Sequence, residues 1–185
     1  MGLTSFLFPI ENSKGQIQED PTPDDPEISM ERLRQTAFYT QSLGVPAPRN
    51  FEEKKVVAGK NLFQKIGCAD CHRPSLTTGA ALFPFLENQT IFAYTDLLLH
   101  DMGPDLADNR PEFLADGQEW RTPPLWGIGL TKVVSGHTDF LHDGRARNLM
   151  EAVLWHGGEA LQSANAFKAL STNDRGALIS FLKSL

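Results

Sequence analysis

Residues 66–72 read IGCADCH and contain the chain's only two cysteines, Cys68 and Cys71, with His72 directly behind them. Side chains at i and i+3 share one side of a helical turn. Both thiols can therefore add across the two vinyl groups of one haem, while the following histidine points its imidazole at the iron. This is the attachment signature of a single covalent haem c, with His72 as the first axial ligand. Two other readings fit less well. A redox dithiol prefers a βαβ setting, which this sequence lacks. A structural zinc site needs four ligands, and there is no second close Cys/His pair. Haem attachment takes place outside the bacterial cytoplasm, so a periplasmic or otherwise extracytoplasmic location is expected.

Ahead of the motif, Ala58, Leu62 and Ile66 recur at i, i+4 and i+8 with Gly67 behind them, which predicts a helix over 52–66. Further upstream, Met30, Leu33 and Ala37 keep one helical face until Gly44, Pro46 and Pro48 stop it near Leu43. Residues 1–28 read as an irregular N-terminal extension or inter-domain segment, with EDPTPDDPE at 19–27 a Pro/Asp loop. The haem domain is expected over 29–185. Its middle, 73–130, is broken by prolines and glycines and allows only short helical turns. Two helices close the chain. Asn148 with Glu151 caps one, Ser171 with Asp174 caps the other, and Leu178, Phe181, Leu182 and Leu185 form an apolar stripe. No stretch alternates as a strand does. The expected fold is all-α and cytochrome c-like with long ordered loops, which a large, flat, apolar cofactor would hold in place.

Composition agrees. A chain of 185 residues, 41% of them apolar, can bury one core with a small extension. Seventeen basic against 23 acidic residues give a charge of −6, which argues against nucleic acid as a partner. Apolar stretches are short, as where Thr95 and Asp96 interrupt 91–99, so no membrane span is expected. The opening MGLTSFLFPI has no basic residue before Lys14 and is cut by Pro9, unlike a signal peptide. A targeting segment is expected upstream of this chain.

The sixth iron position has several candidates: His100, His137, His142, His156, Met102 and Met150. Leu149, Ala152, Val153 and His156 fall at i, i+3, i+4 and i+7, which sets His156 at the end of a buried stripe. Met102 is the main rival, because Met/His ligation is common in electron carriers. A methionine can equally fill a gap in a core.

Further strings recur together with GCADCHRPSLTTG at 67–79: YTDLLLHDMGPDLAD at 94–108, EWRTPPLWGIGL at 119–130, FLHDGRARNLMEAVLWHGG at 140–158 and DRGALISFLKSL at 174–185. Over about 30–185 the set resembles the C-terminal haem domain of the bacterial di-haem c-type oxidoreductases, the thiol-oxidoreductase-like group related to di-haem cytochrome c peroxidases. Even MGLTS resembles an interior stretch of that family. In the peroxidase relatives a distal methionine stands where His156 stands here, and in the methylamine-utilisation enzyme a tyrosine. The resemblance with this difference implies bis-histidine ligation and a lower potential than Met/His. The family carries two CxxCH motifs and this sequence one, which implies a second, N-terminal haem domain outside this chain.

The resemblance further implies electron relay within a di-haem oxidoreductase, with a small redox protein as donor or acceptor. The alternative is a catalytic haem, peroxidase-like or thiol-oxidising, with a displaceable sixth ligand and His100 or His137 assisting proton transfer. Arg121 and Arg145 could pair with haem propionates or lie on the solvated surface. Trp120, Trp126 and Trp155 read as haem-pocket or core aromatics, and Trp126 is taken as cofactor-binding. His142-Asp143-Gly144 reads as the turn before the helix. The peroxidase relatives hold calcium through loop carbonyls; the matching turn here is 136–140, where Asp139 replaces their proline and weakens the case for calcium.

Overall fold

The computed structural model describes residues 3–9, 26–112 and 114–185. Most of the Pro/Asp loop at 19–27, and both ends of the opening stretch 1–10, lie outside the described residues. The chain forms two compact units, Met1–Val45 with Asn109–Gly117, and Pro46–Asp108 with Gln118–Leu185.

In the first unit a polar clip precedes helix α1 (Met30–Gln41). The Thr4 N–H donates to Glu27 Oε2 at 2.7 Å, and the Glu27 N–H donates to Thr4 Oγ1 at 3.1 Å. Ser29 caps α1 by accepting the Arg32 N–H at 3.3 Å, which satisfies one of the first-turn donors. No residue of α1 is fully buried.

The second unit holds α2 (Lys54–Lys65), α3 (Cys68–Cys71), α4 (Thr131–Ser135), α5 (Leu149–Leu154), α6 (Leu161–Ala169) and α7 (Thr172–Ser184). Its core is the crossing of α2 with α7. Gly59 allows the close approach: a Cβ there would run into the Ala177 carbonyl and lie 2.8 Å from Phe181 Cβ. Phe63, Tyr94 and Phe181 fill the space below the crossing, with ring centres 5.3–6.1 Å apart in edge-to-face contacts. The apolar stripe expected at the chain's end is present, with Leu178, Phe181, Leu182 and Leu185 all buried.

The all-α expectation is wrong. The fold is mixed, 44% helical with 10% strand. Strand β1 (Leu76–Thr77) pairs antiparallel with β2 (Thr90–Ile91). Strand β3 (Leu99–Asp101) pairs antiparallel with β4 (Glu119–Arg121), placing His100 opposite Trp120. The physical reason is length. Strands of two or three residues are too short to show alternation, and their partners lie far away in sequence. They pin down the middle of the chain, where only turns were expected.

Candidate haem site

The glycine-terminated helix α2 delivers Cys68 and Cys71 on the single turn α3, with His72 as its C-cap. Both thiols are free and half-buried. Burial pushes the Cys68 thiol up to about 11, and the Cys71 thiol is also raised by burial, so both remain protonated near neutrality.

His72 sits against the aromatic core, its ring centre 6.3 Å from that of Phe63. Its Nδ1 lies 3.0 Å from the Tyr94 carbonyl oxygen. Tyr94 adopts a left-handed backbone with φ 53°, an uncommon conformation for a bulky residue, and so contributes strain at this place. Across from His72, His156 follows α5, whose N-terminus Asn148 caps by accepting the Glu151 N–H at 2.9 Å. Its Nδ1 lies 2.8 Å from the Ala152 carbonyl oxygen. A carbonyl only accepts, so each Nδ1 carries the proton and each Nε2 keeps a lone pair. Burial pulls His72 down to about 4 and also lowers His156, so both rings are neutral near pH 7.

The ring centres of His72 and His156 are 6.4 Å apart, with the planes tilted by 52°. A metal bound to two imidazole nitrogens at about 2.0–2.1 Å each sets the ring centres roughly 6 Å apart. The donor set therefore fits an iron held between two histidines, beside a turn that presents two thiols. The other candidates are engaged elsewhere. Both ring nitrogens of His100 face carboxylates, Asp96 Oδ2 at 2.9 Å and Glu159 Oε2 at 2.8 Å. His142 stacks on Trp120 with ring centres 3.5 Å apart, and exposed His137 lies 3.4 Å from the Asp139 carboxylate. Met150 is exposed, and Met102 is half-buried, with its backbone packed against Gly157.

Arg121 is exposed on β4 and Trp126 is half-buried in the turn after Leu125. Arg145 bonds the Asp143 carboxylate at 2.6 Å and the Asp105 carbonyl, and its guanidinium lies 5.0 Å over the Trp155 ring. Trp155 directly precedes His156.

Sequence reasoning missed the glycine turn behind His156. Gly157 and Gly158 pass so close to the 101–103 loop that Cβ atoms would strike the Met102 and Asp101 carbonyls. Glu159 then accepts the Asp101 N–H at 3.1 Å and the His100 ring N–H. The paired glycines in HGGE were the available signal, since adjacent glycines mark close backbone approach.

Two facing imidazoles beside a CxxCH turn are a donor set that suits a haem. The family model described as "Di-haem oxidoreductase, putative peroxidase" matches residues 13–185, and the chain belongs to that di-haem oxidoreductase family, whose cofactor is haem. No curated protein and no solved structure matches it. Among the described residues, no helix is long and apolar enough to cross a membrane.

Proposed function

We propose that this chain holds one haem c, thioether-linked through Cys68 and Cys71 with His72 and His156 as axial ligands, and relays electrons within a di-haem oxidoreductase. The observation that carries this reading is the 6.4 Å separation of two half-buried, neutral imidazoles whose Nδ1 atoms are both tied to backbone carbonyls. When bound, haem supplies a one-electron couple at its iron.

The residues around it do the rest. Carbonyl bonds from Tyr94 and Ala152 hold both rings in one tautomer and keep Nε2 basic. With both axial positions filled by imidazoles, an iron held there would offer no vacant site to water or peroxide. Partial burial, with Phe63 packed on His72, disfavours the charged imidazolium and so favours neutral ligands. Such a pocket suits charge relay better than substrate chemistry. The partners are a second haem domain outside this chain and a small one-electron carrier, in an extracytoplasmic compartment.

Covalent haem retained through acid-acetone extraction, with a low-spin spectrum in both redox states, is the expected result. His156→Ala should turn that spectrum high-spin. If Met102→Ala does so and His156→Ala does not, the ligand assignment is wrong.

A further inference from the structure

We propose that His100, clasped between Asp96 and Glu159 against the Cys71 edge of the site, is a redox-linked proton site that gains a proton when the haem gains an electron. This rests on the covalent haem proposed above, held by His72 and His156.

The clasp has a definite charge requirement. Ionised carboxylates only accept hydrogen bonds, and a neutral imidazole has one N–H. His100 lies 2.9 Å from Asp96 and 2.8 Å from Glu159, so it satisfies both only as the imidazolium. Ligand atoms of His100, Asp96 and Cys71 all lie within 4.8 Å of one another, which sets this charge beside the thioether edge. The carboxylates are also fixed independently of the proton. Asp96 Oδ1 accepts the Leu98 N–H at 3.0 Å, and Glu159 Oε1 accepts the Asp101 N–H. When the proton leaves, neither acid can swing away, and the cost stays electrostatic. Glu159 is 57% exposed and Asp96 6%, which gives the proton a path to solvent through the glutamate side.

Other titratable or charged groups near the clasp are His72, which feels the charge of both His100 and Asp96, Asp101 beside it on β3, Glu119 and Arg121 flanking Trp120 on the paired β4, and Asp70 next to Cys71. The bond to Glu159, then that to Asp96, hold the His100 imidazole above its ordinary range despite partial burial. Its titration therefore falls above about 6.5. The step balances simply: a one-electron carrier gives one electron to the haem, solvent gives up to one proton to the bare ring nitrogen, and no bond in the chain breaks.

The test is the midpoint potential of the haem-loaded protein measured from about pH 5 to pH 9 by spectropotentiometry. The potential of the unaltered protein should fall as pH rises through the His100 titration. H100Q should abolish most of that fall while the absorption spectrum of the haem stays unchanged. E159Q should move the fall to lower pH. An H100Q profile with the unaltered slope, or an E159Q profile in the unaltered place, overturns the inference and leaves the haem assignment standing. Absence of covalent haem overturns both.

Discussion

The two sides of the proposed haem site are built from different materials. His72 stands on a helical turn continuous with the core, against Phe63, which packs in turn on Tyr94 and Phe181. His156 stands beyond a six-residue helix, and the chain after it is held by polar bonds to β3 through Glu159 and by the close pass of Gly157-Gly158. Both imidazoles bond a backbone carbonyl, but the His72 turn is set mainly by aromatic packing. Beyond the packed Leu149 and Val153, the His156 segment is set mainly by hydrogen bonds and the glycine turn. Packing is worth several kcal/mol per large side chain, whereas a single hydrogen bond contributes about 1. Stability should therefore concentrate on the His72 side and adjustability on the His156 side.

The sharpest test of that contrast is Phe63→Ala. It should remove about 3–5 kcal/mol of folding stability in denaturant unfolding, because the ring is fully buried at the helix crossing. Gly158→Ala should cost less, about 1–3 kcal/mol, since it puts a Cβ onto the Asp101 carbonyl at a left-handed φ of 48°. Its larger effect should be spectroscopic, a loss of low-spin character as His156 shifts. A Gly158→Ala loss equal to that of Phe63→Ala would erase the contrast. Asn148→Ala removes the cap of α5 and should cost about 1 kcal/mol, again with a change at the sixth position.

The smallest expected effect concerns pH. The folded protein raises the His100 value above its unfolded one, so the clasp's contribution is fully present below the unfolded value near 6.5 and is lost as pH rises through the folded value. Thermal melts of the unaltered protein and H100Q should therefore differ most at low pH and converge at high pH.

The same division explains what the sequence could convey. Cys68, Cys71 and His72 are contiguous, and the helices on either side repeat at helical spacing, so the packed half was legible from periodicity and one short motif. The place of His156 just beyond α5 was legible too, because Leu149, Ala152 and Val153 share its stripe. The clasp was not. Asp96 and His100 are neighbours in sequence, but Glu159 lies 59 residues beyond His100 and reaches it only through the docking of the glycine turn. Strands as short as β3 and β4 leave no repeating pattern, which is why the fold read as helical throughout. Backbone carbonyls at Tyr94 and Ala152 carry no residue-type signal at all.

The 52° tilt between the two imidazole planes has a consequence of its own. Each ring is prevented from spinning by its bond to a main-chain oxygen, so the angle belongs to the backbone and not to the side chains. In the proposed bis-histidine haem, ligand planes that are neither parallel nor crossed would split the π-symmetry orbitals of the ferric centre by an intermediate amount. Its electron paramagnetic resonance should thus lie between the rhombic and strongly axial extremes, and any movement of the Tyr94 or Ala152 peptide would register there first.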